Sequence, residues 1–144
     1  MTNGTMKDTV TYKDSKGDGT NVSIDSLILN SSNSYSVEIK VYNDTKNPIM
    51  IVSNEIEEEA NFHRFHYTFT SNSGTPSLTT VITDLDTKSP PQPLGLKFNL
   101  ATGSGIGKGN FKLVLRHFGE GAEKTTNPAD GDSDILIEFP VRVK

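Results

Sequence analysis

The chain of 144 residues contains no cysteine and no tryptophan. Without cysteine there are no disulfide staples, no thiol nucleophile and no cysteine-based zinc site. Apolar residues make up only 33%, too few for helices with wide apolar faces. No apolar run reaches the ~20 residues of a membrane span. Basic residues are scattered, and 14 Lys and Arg face 18 Asp and Glu for a net charge of −4. That balance argues against nucleic acid or an anionic membrane surface as partner. Catalytic motifs are missing as well: no G-x-S-x-G, no H-E-x-x-H and no phosphate loop. "GSGIGKG" (103–109) lacks the G-K-[ST] ending and lies between two strand candidates, so it reads as a hairpin loop. The chain is expected to be no enzyme.

The dominant positive signal is alternation of period two. Tyr35, Val37, Ile39 and Val41 share one face. Phe111, Leu113, Leu115 and His117 share another, and Ile135, Ile137, Phe139, Val141 and Val143 a third. Pro140 cannot donate a ladder hydrogen bond and predicts a sheet edge or bulge. Weaker strands are predicted over Thr9–Lys13, Val22–Leu29, Ser77–Thr83 and Leu96–Ala101. Turn-rich segments separate them at intervals of ~10–15 residues, the pattern of a two-sheet sandwich. The fold expected is an all-β, Ig-like antiparallel β-sandwich with one short acidic helix. Residues 1–8 read as a flexible tail and residues 9–144 as one domain. The helix is predicted over Asn54–Ala60, with Asn54 as cap and Glu57 three residues on.

"EIEEEANFHRFHYTF" (55–69) carries two of the three histidines. Aromatic and β-favouring residues make Phe62–Phe69 a strand, so His63 and His66 face opposite ways. His63 then lies on the core side with Phe65, Tyr67 and Phe69, whereas His66 points to the surface. His117 has core parity at the end of its own strand. Two histidines at a sandwich rim suit Zn2+ or Cu2+, completed by a carboxylate. Glu59, four residues before His63, is the first choice, with Glu57 and Asp84 or Asp86 as alternatives. The competing reading is two half-buried, hydrogen-bonded histidines in a structural or adhesive Ig-like module with no small ligand. A glycan-binding module using exposed aromatics is more remote. "DSKGDG" (14–19) and "DGDSD" (130–134) space their carboxylates as calcium loops do. Neither completes the EF-hand pattern, so calcium is not expected and both read as turns.

Several segments in this order resemble a family: "YKDSKGDGT", "YSVEIKVYN", "EIEEEANFHRFHY", "TDLD", "LGLKFNLATG", "GNFKLVLRH" and "NPADGDSDILIEFPVRV". Together they resemble a group of exported lipoproteins of Bacteroidetes-type bacteria, sometimes labelled type 1 periplasmic binding fold superfamily. The most specific pieces end on His63 and His117. The resemblance implies an exported domain, at the outer membrane, cell surface or periplasm. It implies a lipid anchor only through a removed N-terminal segment, and an outer-membrane uptake receptor as partner. It also implies a shared ligand or metal, haem included, for His63 and His117.

Overall fold

The computed structural model of the protein describes residues 2–3 and 6–144, with side chains from Lys7 onward. The first elements are β1 (Thr2–Asn3), β2 (Met6–Lys7), β3 (Tyr12–Asp14), β4 (Val22–Ile24), β5 (Leu27–Leu29), β6 (Ser34–Glu38), β7 (Tyr42–Asn43) and β8 (Met50–Ile51). Helix α1 (Val52–Glu58) and a 3-10 turn at Ala60–Phe62 follow. The long strands come last: β9 (His63–Gly74), β10 (Leu78–Ile82), β11 (Lys97–Thr102), β12 (Gly107–His117) and β13 (Asp132–Val143).

Two main sheets form, in the orders β10-β11-β6-β1-β2 and β5-β13-β12-β9. Two ribbons, β3-β4 and β7-β8, lie outside them. Alternation decides which side chains meet between the sheets. Tyr35, Phe98 and Leu100 of the first sheet pack against Leu27, Leu29, Phe111, Val141 and Val143 of the second. The Tyr67 and Phe98 rings bridge the layers with centroids 4.2 Å apart. A second cluster fills the other end of the interior. There Ile56 of α1 and Ala60 join Phe65, Leu94, Leu96, Leu113 and Leu115. The expected all-β sandwich with one short helix is therefore the fold.

Its local departures have physical causes. Helix α1 begins two residues before the predicted cap: Ile51 is the N-cap, with no side-chain cap bond. Ser53 N–H donates to the Val41 carbonyl, so neighbouring chain rather than Asn54 satisfies a first-turn donor. The segment Val22–Leu29 splits into β4 and β5, which belong to different sheets. Strand β5 runs parallel to β13, pairing only with Val141–Val143. Pro140 is the last residue before that pairing starts, where β13 is still an edge, as its missing N–H requires. The segment 1–8 falls partly outside the described residues; within it Thr2 pairs with Ser36 and with Lys7.

Candidate metal centre

β9 starts at His63 and β12 ends at His117, and the two residues are direct partners across the ladder. Both keep the inward parity of Phe65 and Leu115, so both rings turn to the core side at the rim. Phe118 N–H donates to the Phe62 carbonyl at 2.7 Å and holds the chain together just beyond the pair. The rings stack with centroids 4.8 Å apart and planes 14° from parallel. His63 is buried, 5% exposed, whereas His117 is reached by solvent.

The carboxylate comes from β13. Pairing runs Leu115 with Ile135 and then Arg116 with Ser133, so Asp134 is an extra residue at a bulge. Regular alternation would send Asp134 away from the core, opposite to Ile135. The bulge redirects it, and its Oδ2 lies 3.5 Å from His63 Nε2. Ligand atoms of His63, His117 and Asp134 all fall within 4.8 Å of one another.

The tautomer of His63 follows from its other nitrogen. Nδ1 lies 3.1 Å from the main-chain carbonyl of Glu59, which can only accept. The Nδ1 hydrogen is therefore committed there. In the neutral ring Nε2 then presents a lone pair towards a carboxylate oxygen. Two acceptors facing each other require a cation, a proton or a bridging water between them. Histidines that ligate metals are commonly fixed by this same bond from the second ring nitrogen to a carbonyl.

The residues fit Zn2+ or Cu2+ by donor type: two imidazoles and one carboxylate. At metal–ligand bonds of about 2.1 Å, two ligands of one ion lie at most ~4.2 Å apart. The present spread is wider, and stacked rings direct their lone pairs nearly in parallel. Coordination therefore needs a rotation of the solvent-accessible His117 ring.

Glu59 contributes differently from the sequence expectation. Its side chain is exposed, and it reaches the site through its main-chain carbonyl. The residue caps α1, its N–H bonded to the Glu55 carbonyl, and that turn aims the carbonyl at His63. Asp84 accepts N–H bonds from Gly95 and Leu96. Asp86 accepts from Lys88 and Gln92, and pairs with Lys124. Neither belongs to the histidine group.

His66 does point away from His63, yet it is half-buried rather than freely exposed. Burial lowers its pKa, Arg64 and Arg116 push the same way, and Asp130 opposes them. In the two acidic loops the carboxylates are engaged locally. Asp14 accepts the N–H groups of Lys16, Gly17 and Gly19. Asp130 accepts from Thr125 and Asn127. Asp134 was visible in the sequence only as the last acid of "DGDSD", as a calcium ligand; its place beside His63 depends on a bulge that alternation does not announce. The Lys124–Asp86 pair carried no sequence signal. No protein-family model, curated protein or solved structure matches the chain.

Proposed function

We propose that this chain is a non-catalytic binding module that holds a divalent transition metal, Zn2+ or Cu2+, through His63, His117 and Asp134. One observation carries the reading: the Glu59 carbonyl fixes Nδ1 of His63 and leaves Nε2 directed at the Asp134 carboxylate, 3.5 Å away. A buried ring so oriented is prepared for a cation, and the solvent-accessible His117 beside it offers the route in. An exported location, and service to an outer-membrane uptake receptor, rest on the family resemblance alone. The structural or adhesive reading is favoured by one other observation, the stacking of the two rings at 14°. In that case a proton shared between His63 and Asp134 takes the cation's place.

Calorimetric titration with Zn2+ and Cu2+ near neutral pH separates the two. Saturable binding is expected from the parent chain. His63→Ala, His117→Ala and Asp134→Asn should each abolish most of it, because two remaining ligands hold a divalent ion poorly. Glu59→Gln and His66→Ala should bind as the parent does, since neither side chain reaches the group. A parent that takes up no metal, or a loss spread equally over all five variants, rejects the site and leaves the structural module.

A further inference from the structure

The face of the β5-β13-β12-β9 sheet turned away from the core poses an unsolved charge problem. Arg64 on β9 and Arg116 on β12 are direct cross-strand partners on that face. Side chains so placed have Cβ atoms about 4.5–5.5 Å apart, and like charges there destabilise the pair. His66 follows two residues after Arg64, opposite Val114. Among the described residues, no carboxylate forms an ion pair with either arginine; the ion pairs are made by Lys13, Lys40, Lys124 and His63.

The face is also covered. Val114 is only 5% exposed although its parity is outward. The segment 118–131 returns over it, and Arg116 Nε donates to the Pro128 carbonyl at 2.8 Å. Under this cover Arg64 Nε and His66 Nε2 are buried with no hydrogen-bond partner. A buried polar group left without a partner is destabilising. Two of them, side by side and flanked by a second guanidinium, call for a shared acceptor. Asp130 does not serve. Its oxygens accept from Thr125 Oγ1 at 2.7 Å and Asn127 Nδ2 at 3.1 Å, and neither Arg64 Nε nor His66 Nε2 bonds to it.

We infer that Arg64, His66 and Arg116 form a binding site for a small oxyanion, of the phosphate or sulfate type, beneath the 118–131 segment. The oxyanion accepts from Arg64 Nε–H and from His66 Nε2–H, and its charge offsets the facing arginines. Arg64 and Arg116 supply the planar, forked donors that suit such a group. Asp130 sets a limit on affinity, because its negative charge lies near His66. The site is on the opposite face of the sheet from His63 and His117, so it stands or falls independently of metal binding.

The test titrates inorganic phosphate, then sulfate, into the whole chain with a chelator present and ionic strength held constant with chloride. Calorimetry, thermal unfolding and the 15N shift of the His66 ring are followed. Saturable binding, a rise in Tm and a shift of Nε2 are expected. Arg64→Lys keeps the charge but removes the Nε–H donor, and should weaken binding at least about tenfold, the discrimination typical of a lost charge-assisted bond. Arg116→Gln should weaken it similarly, Asp130→Asn should tighten it, and the exposed Arg142→Gln should leave it unchanged. If phosphate and sulfate act no differently from chloride, the site does not exist. A response that persists in Arg64→Lys and Arg116→Gln overturns it equally, as a general effect of anions on the surface.

Discussion

Lys124 is placed where its residue type is seldom found. Lysines are almost never fully buried unless paired, and here both its side chain and that of Asp86 are wholly shielded from solvent. Its Nζ donates to Asp86 Oδ2 at 2.8 Å and to the Ala60 carbonyl at 2.9 Å. One ammonium thus ties together the 118–131 segment, the 83–96 segment and the turn before β9. Burial lowers the Lys124 pKa against the opposing pull of Asp86. For Asp86 burial acts upward, but the Lys124 bond and the N–H groups of Gln92 and Lys88 outweigh it and hold the carboxyl below its usual range. Removing one member of such a pair leaves an uncompensated buried charge, at a cost of about 3–5 kcal/mol. Lys124→Met should lower the urea midpoint accordingly, and the double change Lys124→Met with Asp86→Asn should recover part of the loss. Full stability in Lys124→Met would show that the pair is not a structural tie. At this scale His63 and His117 were legible, because parity along a strand depends only on sequence. Asp134 and Lys124 were not, since each owes its position to residues far away in the chain.

Gly95 shows how one element is held to another. Its φ of +102° is open chiefly to glycine. A Cβ there would stand 2.7 Å from Phe65 Cβ. Asp84 fixes the turn by accepting from Gly95 N–H and Leu96 N–H at 2.9 and 3.0 Å. The Tyr67 hydroxyl donates to the Gly95 carbonyl. Positive φ in a non-glycine residue costs about 1–3 kcal/mol before any clash is counted. Gly95→Ala is therefore expected to destabilise by more than that backbone cost, measured by thermal or urea unfolding, with Phe65 displaced. A neutral effect would mean that the turn relaxes freely. The strong alternating runs announced β6, β9, β12 and β13 in the sequence. The helix start did not follow its local capping signal, because contacts from Val41 satisfied the first turn. The break between β4 and β5 was hidden too: "SIDSLIL" reads as one strand unless it is known that its halves pair with different partners.

For the molecule as a whole, two groups withdrawn from solvent, His66 and Asp86, shape stability on the acid side of neutral. His66 has a lowered pKa in the folded chain. Its contribution is complete above about 6.5, the ordinary histidine value, and is lost as pH falls from there towards the folded value, because the unfolded chain takes the proton first. Asp86 is lowered as well. Its contribution is present above about 3.9 and is lost as pH falls through and below that value. Unfolding free energy should thus decline in two stages on acidification. His66→Gln should remove the upper stage and leave the lower one, as read by urea unfolding at a series of pH values. An upper stage that survives the substitution would assign it to another group. Two facing sheets were legible because apolar residues occupy every second position. The order of strands within each sheet was not, since alternation is silent about neighbours.

The parallel pairing of β5 with β13 bears on how the chain carries load. The chain enters β5 at Leu27, beside Val141, and leaves β13 at Val143, beside Leu29. Tension applied from the two directions along the chain therefore pulls these strands lengthwise past each other. Lys144 N–H to the Leu29 carbonyl and Ser31 N–H to the Lys144 carbonyl, each 2.9 Å, extend the same seam. Bonds arranged crosswise to a pull share it and must fail together, whereas bonds in a peeled hairpin fail one at a time. A three-residue strand that already gives Leu27 and Leu29 to the core thus also becomes a clamp against traction.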